Sequence, residues 1–270
     1  MAEPALLYEK REGIAYLTFN RPQVRNALNP EAFCRLADAW QDYAADDSLR
    51  VAIITGAGDR AFTAGADLGT FIPLLSGARQ PADEWDRRVL QDSQVSDVAI
   101  LRGLPLYKPI IAAINGFCLG AGTELLQATD LRIAATHATF ALTEVIRGFM
   151  PAGGSTVRLP RQIPFCKAME ILLVGEHMSA QEAHRIGLVN EVVPPERVLP
   201  RAEELARKIA ANGPVAVRKI KETVLRSLSV SFAEGFALEH ENAKMVLATE
   251  DAKEGPRAFM EKRQPRYVGR

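Results

Sequence analysis

Ile110-Ile-Ala-Ala-Ile-Asn-Gly-Phe-Cys-Leu-Gly-Ala-Gly-Thr-Glu124 is the stretch on which the fold turns. The apolar run Ile110–Ile114 reads as a buried strand that stops at the turn Asn115-Gly116. A helix is expected from about Ala121 to Ala128, and Leu131–Ala135 repeats the strand signature. Working outward, Val51–Thr55 is another short apolar run, ended by Gly56-Ala-Gly58. Further upstream, Ala5–Glu9 and Ile14–Phe19 flank a turn and predict a hairpin. Asn29-Pro30 supplies a cap and a first-turn proline for a helix in which Phe33, Leu36, Ala37, Trp40 and Tyr43 recur at helical spacing. Strands alternating with helices give an α/β fold of crossover units.

Beyond residue 160 the pattern changes. Ser179-Ala-Gln-Glu182 reads as a capping box for a short helix ending near Gly187, and Val189–Val193 as a last strand. Helical spacing then runs to about Glu261, with one break at Asn212-Gly213-Pro214. The chain is therefore expected to divide softly near residue 195, into an α/β core over 1–195 and a helical region over 196–270.

The 270 residues carry 33 Lys and Arg against 33 Asp and Glu, which argues against a general nucleic-acid binder. The start has early acids and no long apolar core, so no signal peptide is expected. The weakly charged segment Pro109–Thr129 is interrupted by glycines, Asn115, Glu124 and Gln127, and no membrane span is expected. Cys34, Cys118 and Cys166 are few and widely spaced, in keeping with a reducing, cytoplasmic setting. His137, His177, His184 and His240 lack ligand spacing and read as structural or surface residues, so no metal site is expected. Gly56-Ala-Gly58-Asp-Arg-Ala61 matches a dinucleotide fingerprint loosely, but Phe62-Thr-Ala-Gly65 is a poor helix start where a helix should open.

Glu124 is the one charged residue between Pro109 and Thr129. Desolvation should raise its pKa, which makes it a candidate acid or base; the plainer reading is a carboxylate at a helix start. Glu144, at the end of a short strand in Phe140-Ala-Leu-Thr-Glu144, is a second candidate, with an ion pair to Arg147 as its plainer reading. Two such carboxylates can divide acid and base roles. Phe62-Thr-Ala-Gly-Ala-Asp67 adds small residues where a backbone can approach a ligand, or an ordinary turn with Asp67 capping the next helix.

Together these segments resemble the crotonase superfamily of enoyl-CoA hydratases and isomerases, almost end to end. The resemblance rests on Ala64-Gly-Ala-Asp67, Asn115 through Glu124, Phe140 through Gly154, Ala180 through Asn190 and Glu250-Asp-Ala-Lys-Glu-Gly255. It implies a spiral of ββα units, a helical C-terminal trimerisation region, and a homotrimer or dimer of trimers. It also implies an acyl-CoA thioester substrate, with coenzyme A as part of the substrate and no separate cofactor. The matching oxyanion-hole positions are the N–H groups of Ala66 and Ala121, and the matching acid/base pair is Glu124 and Glu144. Retention of both carboxylates points to hydration of a trans-2-enoyl-CoA. A Δ3,Δ2-enoyl-CoA isomerase, another acyl-CoA dehydratase or hydrolase, and a non-catalytic scaffold are the alternatives. Arg25, Ala64 and Leu68 are expected near the coenzyme, and Phe259 and Lys262 match tail positions that reach a neighbouring subunit's coenzyme.

Thr143 stands where hydratases commonly have proline, Ala121 and Ala152 where glycine is common, and Gly69 where some members have a basic residue. Phe71, Ile72, Leu74, Leu75, Trp85 and Val89 predict an apolar wall for the acyl group. Residues 196–270 hold 15 basic and 11 acidic side chains, against 18 and 22 in residues 1–195, which suggests a basic tail near the coenzyme phosphates.

Overall fold

The computed structural model describes residues 3–270. Ten strands form two sheets: β1 (Leu6–Arg11), β2 (Ile14–Phe19), β3 (Val51–Gly56), β4 (Ala61–Thr63), β5 (Ile110–Ile114), β6 (Phe117–Leu119), β7 (Leu131–Ala135), β8 (Thr139–Ala141), β9 (Met178–Ser179) and β10 (Glu191–Val193). The larger sheet runs β1-β2-β3-β5-β7-β10, parallel except for the β1/β2 hairpin. The smaller runs β4-β6-β8-β9, with β9 antiparallel at its edge.

β3/β4, β5/β6 and β7/β8 each send one strand to the large sheet and the next to the small one, then continue into helix. This is the ββα spiral implied by the resemblance. The large-sheet strands are apolar on both faces because helices cover them: Ile110 to Ile114 are all fully buried. The corners between the sheets are stitched by asparagines. Asn115 Nδ2 donates to the carbonyls of Gly56 and Gly58, and buried Asn26 donates to Ala57 and Ala61.

The helix Pro30–Ala45 is capped by Asn29, whose side chain accepts the Ala32 N–H at 3.0 Å. Its buried face carries Phe33, Leu36, Trp40 and Tyr43, and the two largest satisfy their polar atoms. Trp40 Nε1 donates to Ala99 O and the Tyr43 hydroxyl to Pro109 O. The dinucleotide-like glycines lead into β4 rather than a helix.

The helix Val198–Ala210 lies past residue 195, yet it packs on β3, β5 and β7 through buried Ala202 and Ala206. The helices Pro214–Ser227, Phe232–Leu247 and Glu250–Met260 follow and bury few residues. Residues 228–231 and 248–249 interrupt them, in addition to the expected break at 212–214. Asp251 accepts the N–H groups of Val268 and Gly269, which folds the last residues back onto the final helix. Among the described residues no helix is long and apolar enough to cross a membrane.

Candidate active site

A cavity of about 590 Å³ opens where the ends of the three ββ units meet. Seven of the nine expected catalytic, oxyanion-hole and coenzyme positions line it: Arg25, Ala64, Ala66, Leu68, Ala121, Glu124 and Glu144. Phe259 and Lys262 do not. They sit at the end of the last helix, where Phe259 is 82% exposed.

Gly65 brings the first two loops together. Its φ is +86°, and a methyl group there would lie 2.6 Å from Leu119 O and 3.1 Å from Ala121 N. Leu28 grips the same loop, donating to Gly65 O and accepting from Asp67 N. That bridge skips the Ala66 N–H. Ala121 is the first residue of the helix Ala121–Leu126, so its N–H has no partner one turn back. Neither N–H donates to a protein acceptor among the described residues. Asp67 does not cap the helix Phe71–Leu75; its carboxylate accepts from Gly69 N and Thr70 N and pairs with Arg21 at 2.8 Å, closing the turn before it.

Gly65→Ala should destabilise the fold by about 1–3 kcal/mol, through left-handed strain and the Leu119 clash, and should push Ala66 and Ala121 apart. Thermal melting together with turnover checks this; a variant with wild-type values in both would show that the Gly65 contact is dispensable.

Glu124 is 4% exposed on the short helix Ala121–Leu126. Its Oε1 accepts the Ser155 N–H at 3.3 Å. Burial raises its pKa above the ordinary value, while the N–H groups of Ser155 and Gly153 and the Arg158 charge pull the other way.

Glu144 lies three residues beyond β8, at the cap of a 3-10 turn Val145–Arg147. Its Oε2 is buried and has no hydrogen-bond partner. Desolvation pushes its pKa up to about 7, and the negative charge of Glu124 adds to the rise. The ion pair to Arg147 does not form: that guanidinium donates to Thr143 O at 2.9 Å. A buried carboxylate oxygen without a protein partner is unusual, and its place in a cavity wall makes Glu144 a candidate functional group.

The walls sort by polarity. Phe33, Phe71, Ile72, Leu75, Ile100, Phe149 and Met150 make an apolar side. Leu74, Trp85 and Val89, expected there, do not line it. Leu74 and Val89 are buried in the body of the protein, and Trp85 packs on the Pro30–Ala45 helix under the Arg35 guanidinium. Sequence reading passed over Asp97 and Arg102 at the cavity wall, because lone polar residues carry no periodic signal, and His177, read as a structural or surface residue, stands there too. The basic tail is largely consumed internally: Arg257 and Arg263 pair with Glu254, and Arg270 with Glu250.

A family model described as enoyl-CoA hydratase/isomerase matches residues 9–270. Enoyl-CoA hydratase EchA19 of Mycobacterium tuberculosis is 40% identical, over 99% of this chain and 97% of its own length. The (E)-benzylidenesuccinyl-CoA hydratase of Thauera aromatica is 39% identical over 95% of this chain and 96% of its own. Crotonyl-CoA hydratase of Syntrophomonas wolfei is 36% identical over the full length of both. Among solved structures, an enoyl-CoA hydratase from Bacillus anthracis superposes with a TM-score of 0.88 at 37% identity, covering 98% of this chain and 100% of that one. With its doubled sheet, its two cavity-facing carboxylates and these relatives, the chain belongs to the enoyl-CoA hydratase/isomerase family.

Proposed function

We propose that this enzyme adds water across the C2=C3 bond of a trans-2-enoyl-CoA thioester. The observation that carries the reading is the pair Glu124 and Glu144 on one cavity, beside two N–H groups without protein partners. Glu124 is the better anion, because Ser155, Gly153 and Arg158 favour its charge, while Glu144 stays protonated to about pH 7. Ionised Glu124 takes a proton from water as its oxygen bonds to C3. Electron density moves through C2 to the thioester oxygen, which the Ala66 and Ala121 N–H groups hold. Protonated Glu144 then delivers its proton to C2. Each N–H is worth roughly 3–4 kcal/mol in such a site, because the charge it faces exists only as the reaction proceeds.

Arg25, Ala64 and Leu68 fit the entry of the coenzyme arm, which arrives with the substrate, so no separate cofactor is needed. Exposed Ile220, Val224, Phe232 and Phe236 on the C-terminal helices, with Leu228 in the turn between them, suit self-association as a trimer or a dimer of trimers, where Phe259 and Lys262 would meet a neighbouring copy's coenzyme. Buried free thiols at Cys34 and Cys118 fit a cytoplasmic setting.

The test is a panel of enoyl-CoA thioesters, short, long, aromatic and carboxylated, with product mass as the readout. A gain of one water is expected; unchanged mass with a moved double bond would assign isomerisation instead, and no turnover of any member would end the hydratase reading. The kcat/KM profile should be bell-shaped, with an alkaline limb near pH 7 as Glu144 loses its proton. A rate still rising through pH 9 would contradict the role given to Glu144.

A further inference from the structure

Gly153 and Gly154 stand side by side before the helix Ser155–Gln162, and each leaves room for a different charged group. A methyl on Gly153 would lie 2.5 Å from Glu124 Oε2 and 2.9 Å from Ile100 Cδ1. One on Gly154 would lie 3.0 Å from Arg158 Nη1. From the same helix Ser155 N–H reaches the Glu124 carboxylate, while Arg158 reaches main-chain carbonyls on two separate segments. Its Nη2 donates to Leu101 O at 2.6 Å, and its Nη1 to Ile100 O at 3.2 Å and Glu124 O at 3.4 Å. Leu101 has a φ of +58°, a left-handed conformation that needs surroundings to hold it. Ile100 lines the cavity.

We propose that Arg158 is a positioning residue for the acid–base step, fixing the Glu124 backbone and the Ile100–Leu101 turn, whose Ile100 lines the cavity, in one arrangement with a positive charge behind the carboxylate. Its planar fork suits acceptors on two segments better than an ammonium would. The charged groups facing Glu124 are Arg158 behind it and Glu144 at the cavity, and Arg158 in turn faces Glu124 and Arg102. The kinetic readout rests on the hydratase reading; the placement of charge does not.

Arg158→Gln and Arg158→Lys are compared with wild type by kcat and KM across pH, and by carbon NMR titration of the Glu124 carboxyl, assigned with Glu124→Gln. Arg158→Gln should lower kcat about 10- to 100-fold. Loss of the cation raises the Glu124 pKa, so the acid limb should move to higher pH. Arg158→Lys should return that limb to its wild-type position, yet leave KM for long acyl groups raised several-fold. A merely structural arginine would lower the melting temperature and leave kcat per folded molecule, KM and the limb unmoved, which overturns the proposal. Should Arg158→Gln fail to fold, the lysine variant decides: a raised KM on a wild-type limb supports the proposal, and any other result overturns it. If wild type hydrates no thioester, the hydratase reading falls alone. The NMR titration then stands as the test, and a Glu124 carboxyl unmoved in both variants refutes Arg158 as its counter-charge.

Discussion

Glu124→Gln is expected to bind an acyl-CoA normally and to hydrate it about 100- to 10,000-fold more slowly. The amide has the shape of the carboxylate and can still accept the Ser155 N–H, so the cavity should keep its form. What it cannot do is take a proton from water. Binding is checked by calorimetry with a saturated acyl-CoA, and chemistry by single-turnover rates. Near-normal turnover with normal binding would remove Glu124 from the proton path. The same variant should lower the Glu144 pKa, since one cause of its elevation is gone. It should stay above the ordinary carboxylate range, because desolvation is the larger cause.

Glu144→Gln should likewise cost at least about 100-fold in rate, yet it should make the protein more stable at alkaline pH. The Glu144 carboxyl titrates near 7 in the folded chain against an ordinary value of 4.5. Below the lower value both states are protonated and the group costs nothing. As pH rises between the two, the unfolded chain releases the proton while the folded chain resists, so native stability falls and the full penalty is present above about pH 7. Replacing the acid by a neutral amide lifts that penalty, roughly 2–3 kcal/mol at pH 8 and near zero at pH 4. Melting curves at the two values test this. An equal shift at both would mean that the buried charge is not what the wild-type fold tolerates at Glu144.

How much of this was legible in the sequence follows from element length and burial. Ile14–Phe19, Ile110–Ile114 and Leu131–Ala135 are strands over the residues expected, because each is an apolar run long enough to show itself. β4, β6 and β8 have three residues each, too few for any period; only the short strand around Phe140 was read from the residues, and it ends at Ala141 rather than running to Glu144. Capping was half legible. Ser179 accepts the Glu182 N–H, but Glu182 turns to Arg185 and Lys167 rather than back to the cap. The complete box sits at Ser231 and Glu234, where the pattern had suggested unbroken helix. Glu124 announced itself as a lone charge in apolar sequence. Arg158 did not, since its acceptors are backbone carbonyls of residues far away along the chain, which no side-chain pattern records.

The order in which the spiral delivers its groups bears on how such a protein can be altered. Ala66 follows the first ββ unit, Ala121 and Glu124 the second, and Glu144 the third. On the proposed mechanism, the N–H groups that would steady a thioester oxygen and the carboxyl that would supply a proton are thus carried on separate coils, each anchored in its own strands. If those roles hold, a change confined to the third coil would retire or replace the proton donor while leaving the backbone of the first two coils in place, provided that the close approach of Glu144 to Gly120 is kept. The scaffold is in that sense a modular one, open to new reactions on the same activated acyl group by exchange of a single segment.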